Sequence, residues 1–192
     1  MPPSRAIKPY QKHAVMTEYA LRFGPKIFIE TGTFRGDTIK AMLISKHKFD
    51  RLWTIDTELS RAQRAKNRFH GCPSVTCLHG DSGKVLPEVM KGISEPCLFW
   101  LDAHYAGTKF DKFVISAPIK EELKCILEHP YAAQHTILID DAWYFTDKVY
   151  VQVGPSVAEL LEIVQQHFPT WTFDIELDII RVNTHGDDAK TG

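Results

Sequence analysis

Residues 26–36 read KIFIETGTFRG, an apolar stretch that runs directly into a glycine-containing loop. An uninterrupted run of about five apolar residues is typical of a parallel strand buried on both faces. The glycines that follow, Gly32 and Gly36, permit a tight turn from strand to helix. They also let a ligand approach the backbone at the positive N-terminus of that helix. This stretch therefore predicts a strand, a ligand-binding loop and a helix in succession.

The same succession recurs along the chain. Buried strands are predicted at Lys26–Glu30, Leu52–Asp56, Val75–His79, Cys97–Leu101 and Thr136–Asp140. Helices are predicted at Gln11–Arg22, Asp37–His47, Glu58–Phe69, Gly83–Lys91, Pro118–Glu128 and Ser156–Phe168. Two final strands, Thr170–Glu176 and Ile179–Asn183, are joined by Leu177-Asp178, which predicts an antiparallel hairpin. The alternation of strands and helices predicts an α/β, Rossmann-like, doubly wound sheet.

The length of 192 residues fits one domain, which we predict to span residues 1–184. Residues 1–24 precede the first strand and are interpreted as a helical lid or a dimer element. The polar stretch from His185 to Gly192 is predicted to be a disordered tail.

Composition excludes several classes of protein. With 23 basic and 24 acidic residues the net charge is −1, which argues against a domain that binds nucleic acid by bulk charge. The four cysteines form no Cys-x-x-Cys pair, so no zinc site is predicted, and Cys77 and Cys97 are expected to be buried. No signal peptide or membrane-spanning run is found, which predicts a soluble, cytoplasmic protein without a membrane partner.

The glycine loop differs from the common nucleotide-binding motifs. The dinucleotide fingerprint requires a glycine where this chain has Phe34, and no Walker A spacing is present. Asp56 ends the second predicted strand, 20 residues after Gly36. A carboxylate at this distance is placed to accept hydrogen bonds from ribose hydroxyls. Asp81, after the third strand, is predicted either to accept a bond from an adenine amino group or to cap the following helix.

These residues resemble the cofactor motifs of class I S-adenosylmethionine-dependent methyltransferases, and the resemblance runs from about Phe23 to Asn183. It implies that Glu30 holds the methionine amino group through the loop, Asp56 the ribose and Asp81 the adenine. It also implies a strand order of 3-2-1-4-5-7-6 with strand 7 antiparallel. The cofactor-binding residues predicted in this way are Glu30, Gly32, Thr33, Phe34, Gly36, Asp56, Asp81, Ser82 and Asp102.

A second group of acidic residues follows the fourth and fifth strands. Asp102 directly follows one of them, and Asp140 and Asp141 lie at the end of the other, so all three are expected at one edge of the sheet. Carboxylates that converge repel one another unless a cation lies among them, and oxygen ligands favour Mg²⁺. The alternative is that these aspartates cap turns or helices.

The acidic group is similar to the metal site of metal-dependent small-molecule O-methyltransferases, both catechol-type and of the macrolide and aminocoumarin sugar branch. The resemblance implies that Asp102, Asp140 and Asp141 bind Mg²⁺. The usual catechol-type pair is Asp-Asn, whereas this chain has Asp-Asp, as in the sugar branch. Residues Ala106–Ser116 are interpreted as an inserted loop beside the site.

The catalytic residues predicted from this pattern are His104 and Asp102. His104 occupies the position of a candidate general base in the related sugar enzymes, and an imidazole titrates near neutral pH. A histidine that only hydrogen-bonds its loop is the alternative. Trp143, Tyr144 and Phe145 follow the acidic pair and either line an acceptor pocket or belong to the core.

The sequence therefore predicts an enzyme that transfers a methyl group from S-adenosylmethionine to a hydroxyl of a small molecule, assisted by Mg²⁺. A homodimer is possible, and no nucleic-acid partner is expected. The alternatives are a metal-independent methyltransferase with His104 as base, a NAD- or nucleotide-binding oxidoreductase, and a binding module without turnover. Phe34 argues against the oxidoreductase, and the acidic residues argue against the binding module.

Overall fold

The computed structural model describes residues 7–103, 118–146 and 154–183. The strands in this part of the chain are β1 (Ile27–Thr31), β2 (Arg51–Asp56), β3 (Val75–His79), β4 (Cys97–Leu101), β5 (Thr136–Ile139), β6 (Thr172–Glu176) and β7 (Ile179–Asn183). The α-helices are α1 (Pro9–Phe23), α2 (Asp37–Leu43), α3 (Leu59–Arg68), α4 (Ser82–Met90), α5 (Ile119–Leu127), α6 (Trp143–Thr146) and α7 (Val157–His167).

The described strands form one sheet in the order β3-β2-β1-β4-β5-β7-β6. The first five strands are parallel, and β7 runs antiparallel to both β5 and β6. In the centre of the sheet Ile29 lies opposite Trp53 on one side and Phe99 on the other. The predicted doubly wound sheet, its strand order and its terminal hairpin are confirmed.

One face of the sheet is covered by α4, α5 and α7. Ile27 and Ile29 of β1 pack in the same buried cluster as Leu86, Leu123 and Leu160, which come from these three helices. Every residue of β1 is buried, as expected for a strand covered on both faces.

The opposite face is covered by α1, α2 and α3. Phe28 of β1 belongs to a second buried cluster that includes Met16 of α1, Ile39 of α2 and Ala65 of α3. Helix α1 is thus packed on the sheet through side chains such as Met16, which has no exposed surface. This packing fixes the position of the N-terminal helix over strands β4 and β5.

Most predicted helices agree with the structure to within two residues at each end, and two helices differ by more. Helix α2 ends at Leu43 rather than His47, because the Ser45 hydroxyl lies 2.9 Å from the carbonyl oxygen of Met42 and competes with the next helical hydrogen bond. The short helix α6 was not predicted, since four residues are too few to show a helical period.

The hairpin turn is formed by Leu177 and Asp178, as predicted, with φ angles of 53° and 57°. Positive φ at both central residues defines the type I′ turn that joins two-residue hairpins. Cys77 and Cys97 are buried, and all four cysteines are free. None of the helices among the described residues is long and apolar enough to cross a lipid bilayer. The predicted tail at 185–192 lies outside the described residues.

Candidate functional site

The candidate site lies at the edge of the sheet where the parallel strands end. Backbone hydrogen bonds tie the departing loops together: Gly32 donates to Ile55, Asp102 donates to Thr31 and Asp140 donates to Leu101, at 2.8–3.0 Å. The loops after β1, β2, β4 and β5 therefore start side by side. This is the position at which open parallel sheets bind their ligands.

The loop after β1 passes very close to the loop after β4. Gly32 has a φ of 90°, and a Cβ atom at this residue would lie 2.3 Å from the carbonyl oxygen of Asp102. No side chain fits in that distance, so glycine is required both for its conformation and for its size. Gly36, with a φ of 74°, is the N-cap of α2.

Phe34 forms the exposed tip of this loop. Its φ is 45°, an uncommon conformation for a bulky residue, and 58% of its surface is exposed. Arg35 and Arg61 lie over its ring, with guanidinium carbons 5.2 and 5.4 Å from the ring centre. An exposed, positively flanked aromatic ring at a strand end is suited to cover a ligand bound in the loop.

Asp56 connects the loop to the end of β2. Its Oδ2 accepts a hydrogen bond from the backbone N–H of Phe34 at 3.0 Å, and its Oδ1 accepts one from Glu58 N–H at 2.8 Å. Each carboxylate oxygen has a further lone pair with which to accept a bond from a ligand hydroxyl. Asp56 as a residue is 4% exposed, so its carboxylate lies at the bottom of the cleft.

Glu30 lies beneath the loop. Its Oε2 accepts a hydrogen bond from Thr54 Oγ1 at 2.7 Å, and that hydroxyl is 2.6 Å from Thr33 Oγ1. Burial raises the pKa of Glu30 to about 8, although its bonds to Thr54 and Thr38 oppose this rise. At neutral pH the group is mainly protonated, and it then supports the loop as a neutral hydrogen-bonding acid.

Asp81 and Ser82 begin α4. The Asp81 side chain accepts a hydrogen bond from Gly83 N–H at 3.1 Å, so this residue has the helix-capping role that was one of its two predicted roles. Ser82 is buried. Asp81 Oδ2 lies 3.6 Å from the ammonium of Lys84, and the carboxylate remains exposed at the cleft.

The three predicted metal ligands are brought together. One carboxylate oxygen from each of Asp102, Asp140 and Asp141 lies within 4.8 Å of the other two. Burial raises the pKa of Asp140 to about 7, to which the charge of Asp141 adds. Burial and then the charges of Asp140 and Asp141 also raise the pKa of Asp102. A positive charge placed beside these carboxylates would therefore stabilise their ionised forms strongly.

A lysine that sequence analysis did not identify supplies a positive charge beside two of these carboxylates. Lys12 Nζ lies 2.5 Å from Asp140 Oδ1 and 3.0 Å from Asp141 Oδ1. Burial lowers the pKa of Lys12, but attraction to the two aspartates outweighs it and the pKa lies above its usual range. No local pattern marks this residue, because its partner Asp141 is 129 positions away in the sequence.

The hairpin turn between β6 and β7 is hydrogen-bonded to the loop that carries Asp140 and Asp141. The carbonyl oxygen of Asp178 accepts a hydrogen bond from Ala142 N–H, and its Oδ1 accepts one from Trp143 N–H, both at 2.9 Å. Asp141 itself has a φ of 49°, and its N–H donates to Asp140 Oδ1 at 2.7 Å. These bonds fix the backbone of the loop that carries both aspartates.

A groove of about 660 Å³ lies beside the cluster. Its walls come from the first turns of α1, from α6 and from the hairpin, and include Ile7, Gln11, Trp143, Ile175 and Leu177. Of the three aromatic residues predicted either to line a pocket or to join the core, Trp143 lines this groove and Phe145 is buried in the core. The lining of the groove combines apolar side chains with polar and charged ones.

Glu122 of α5 is a second residue that the sequence did not single out. It is 1% exposed and lies beside the hydroxyl groups of Ser82 and Thr31, between the start of α4 and the end of β1. Its Oε1 and Thr31 Oγ1 are buried without a hydrogen-bond partner among the described residues. Burial raises the pKa of Glu122 to about 7, with Ser82 and Thr31 opposing the rise.

This raised pKa predicts a pH-dependent stability. Between pH 4.5 and about pH 7 the folded state keeps the Glu122 proton that the unfolded state has lost. The free energy of unfolding therefore falls as the pH rises through this range. Glu122→Gln imitates the protonated acid and removes this dependence. The variant should gain about 3 kcal/mol in unfolding free energy relative to the natural chain between about pH 4.5 and pH 8, measured by denaturant titration.

The matched control is Glu121→Gln, an exposed neighbour on the same helix. The charge of Glu121 makes the smallest of the contributions that raise the pKa of Glu122, so the unfolding free energy of this variant should follow that of the natural chain closely at every pH. The contribution of Glu30 is common to all three proteins and cancels in the comparison. Equal pH dependence in the Glu122 and Glu121 variants would show that Glu122 ionises freely in the folded protein.

Two predicted features lie outside the described residues: His104, the candidate base, and the loop Ala106–Ser116.

No model of a protein family matches this sequence, and no curated protein matches it. Solved structures do. The methyltransferase PaMTH1 of Podospora anserina, bound to S-adenosylhomocysteine, is 14% identical and superposes with a TM-score of 0.65, covering 95% of this chain and 82% of its own. An O-methyltransferase from Bacillus cereus in complex with the same compound gives 15% identity, a TM-score of 0.58, and coverage of 94% and 83%.

A third similar structure is the O-methyltransferase TomG from Streptomyces achromogenes, which acts in tomaymycin synthesis and was solved with S-adenosylmethionine. It is 17% identical, with a TM-score of 0.55 and coverage of 94% of this chain and 80% of TomG. At these identities the similarity establishes the fold. The chain has the Rossmann-like fold of these methyltransferases.

Proposed function

We propose that this protein is a methyltransferase that moves a methyl group from S-adenosylmethionine to a hydroxyl group of a small molecule, with assistance from Mg²⁺. The proposal is supported by the fold, by the glycine loop joined to Asp56, and by three carboxylates at the neighbouring strand ends. The single observation that carries it is the hydrogen bond from Phe34 N–H to Asp56, which unites the loop and the ribose-binding carboxylate in one rigid cleft.

The cofactor, when bound, supplies an electrophilic methyl group on its sulfonium sulfur. We assign its binding to the loop residues Gly32, Thr33, Phe34 and Gly36, supported by Glu30, and to the strand ends that follow. Asp56 accepts from the ribose hydroxyls, Asp81 and Ser82 border the adenine, and the backbone of Asp102 closes the cleft beside Gly32. Because Gly32 and Asp102 approach so closely, no side-chain atom of residue 32 occupies the floor of the cleft.

The acidic cluster fits a hard divalent cation. Asp102, Asp140 and Asp141 present oxygen ligands only, and no hydrogen bond from a described residue satisfies the Asp102 carboxylate. Mg²⁺ held there would lower the pKa of an acceptor hydroxyl and fix its oxygen. Methyl transfer is a direct displacement, so the chain contributes mainly by positioning the two reactants.

The acceptor site we assign to the groove beside the cluster. Its apolar walls, including Trp143, suit an aromatic or aliphatic ring, and its volume of about 660 Å³ suits a small molecule. We propose His104 as the base that takes the hydroxyl proton. With a net charge of −1, the chain has no general attraction for nucleic acid.

A metal-independent methyltransferase is the second candidate, and one observation favours it. The ammonium of Lys12 already lies 2.5 Å from Asp140, so the cluster contains a positive charge supplied by the chain itself. In this case His104 would act as base without a metal.

Calorimetric titration with S-adenosylhomocysteine, first in EDTA and then in Mg²⁺, tests the proposal. We expect micromolar binding in both buffers. Asp56→Ala should weaken it about 100-fold, because two hydrogen bonds to a charged group are lost. Absence of binding to the natural chain in both buffers would contradict the proposed function.

The matched control is Asp50→Ala. This exposed aspartate precedes β2, so it lies at the other end of the strand that Asp56 terminates. Its removal changes the net charge equally and should leave the affinity unchanged. Equal losses in both variants would assign the effect to charge rather than to contact with the ribose.

A further inference from the structure

Lys12 differs from an ordinary surface lysine because it lies on helix α1, which is packed on the sheet, and its ammonium contacts the acidic cluster. Its Nζ touches two of the three clustered carboxylates, those of Asp140 and Asp141. Its side chain is 17% exposed and that of Asp140 is 5% exposed, so solvent screens the contact with Asp140 only weakly. This distinguishes the pair from a surface salt bridge.

The position of Lys12 is fixed from both sides of the residue. One turn further along α1, Met16 is fully buried against the sheet. Before Lys12, Gln11 lies in the first turn of the helix and Lys8 is its N-cap. The Gln11 side chain accepts a hydrogen bond from Lys8 N–H at 3.1 Å. The ammonium is therefore presented to the cluster by the fold itself.

The ammonium and a divalent ion require the same oxygen atoms. A Mg²⁺ ion binds carboxylate oxygens at about 2.0–2.1 Å, and the Asp140 Oδ1 that would serve it already accepts Lys12 Nζ at 2.5 Å. Two cations at such distances from one oxygen repel each other strongly. Three carboxylates and one ammonium leave a formal charge of −2, which a divalent ion would neutralise only against this repulsion.

We propose that Lys12 is a built-in competitor of the divalent cation, and that metal binding at Asp102, Asp140 and Asp141 displaces its ammonium from the cluster. This inference rests on the metal-assisted form of the proposed function. Lys12 determines how tightly the site binds metal. Because Gln11, the preceding residue, lines the acceptor groove, the exchange of cations also links metal binding to the wall of that groove.

Removal of the competitor should tighten metal binding. Titration calorimetry with MgCl₂ and with MnCl₂, without cofactor, is carried out on the natural chain, Lys12→Met and Lys8→Met at about pH 8. We expect Lys12→Met to bind at least about tenfold more tightly than the natural chain. Lys8→Met removes a nearby exposed charge that makes no ion pair among the described residues, and should shift the affinity by less than about threefold.

Lys12→Arg distinguishes the effect of the positive charge on metal affinity from the effect of side-chain shape. It keeps the positive charge beside the carboxylates, so its metal affinity should remain within about threefold of that of the natural chain. If Lys12→Met binds metal no more tightly than the natural chain, or more weakly, Lys12 supports the metal site and the inference is overturned.

A second measurement uses the natural chain and so does not depend on the folding of a variant. The protein is treated briefly with an acetylating reagent with and without saturating Mg²⁺, and lysine modification is quantified by mass spectrometry. An ammonium held between two carboxylates reacts slowly. We expect Mg²⁺ to accelerate acetylation of Lys12 at least about fivefold relative to Lys8, and an unchanged ratio overturns the displacement.

The outcomes distinguish this inference from the proposed function. If metal competes with Lys12 but S-adenosylhomocysteine does not bind, the inference stands and the methyltransferase proposal fails. If S-adenosylhomocysteine binds but neither the natural chain nor Lys12→Met binds metal, the inference is overturned and the metal-independent methyltransferase remains.

Discussion

Gly32→Ala is expected to lower the free energy of unfolding by more than about 3 kcal/mol and to abolish binding of S-adenosylhomocysteine. The added Cβ would lie 2.3 Å from the carbonyl oxygen of Asp102, which belongs to the backbone and has no rotamer by which to move away. The two loops would have to separate. Denaturant titration measures the loss of stability, and calorimetry measures the loss of binding.

Gly71→Ala is the matched control, since Gly71 has a φ of 92° but no atom within 4 Å of the position of its Cβ. It carries the same conformational strain without the collision, and should cost about 1–2 kcal/mol. The difference between the two variants isolates the close approach of the loops. Equal costs would show that the loops separate easily, and the cleft would not be rigid in the way the binding proposal requires.

Asp140→Ala is expected to reduce Mg²⁺-dependent methyl transfer by at least about 1,000-fold while leaving the affinity for S-adenosylhomocysteine within about threefold. The carboxylate is a member of the acidic cluster, whereas the proposed cofactor cleft is built from the loop after β1 and from Asp56. Turnover is measured with an acceptor found by screening hydroxylated small molecules, and affinity by calorimetry.

Asp140 also pairs with Lys12, so its loss could disturb helix α1. Asp140→Asn keeps the shape and the acceptor oxygen for Asp141 N–H, and circular dichroism checks that both variants are folded. Asp174→Ala, which removes an exposed carboxylate on β6, should retain full activity. Loss of turnover and of cofactor affinity together in a folded Asp140 variant would mean that the two halves of the site are wrongly assigned.

The strands were the most predictable part of the fold. β3 and β4 begin and end at the predicted residues, and β1, β2 and β5 differ by a single residue at one or both ends. β1, β4 and β5 are buried at every residue, and their largely apolar composition marks their limits in the sequence. The prediction that β3 is also buried on both faces is wrong, because β3 lies at the edge of the sheet and only its Cys77 is buried. The hairpin turn was also located correctly, although Leu177 is an unusual residue for its positive φ.

Much of the candidate site could be predicted for the same reason. Asp56, Asp102, Asp140 and Asp141 each end or follow a predicted strand, and parallel strands bring their carboxyl ends to one edge of the sheet. Convergence of the three aspartates at 4.8 Å or less follows from this topology. The position of the Lys12 ammonium beside these aspartates does not follow from the strand topology.

Lys12 and Glu122 could not be predicted because their roles depend on packing between distant segments. Each lies on an ordinary amphipathic helix, where a charged residue is expected to face solvent. Glu122 is buried only because the N-terminal turn of α5 meets that of α4, where Gly83 allows the helices to approach. The Lys12 side chain is largely enclosed, at 17% exposure, only because α1 crosses strands β4 and β5.

The hydrogen bonds from Ala142 and Trp143 to Asp178 have a consequence for how the protein is made. Translation proceeds from the N-terminus, so the ribosome delivers Lys12 first, the acidic pair much later, and the turn that supports that pair later still. A nascent chain that ends before Asp178 already contains the glycine loop and Asp56. Synthesis thus supplies the parts of the proposed cofactor cleft before the turn that braces the acidic loop.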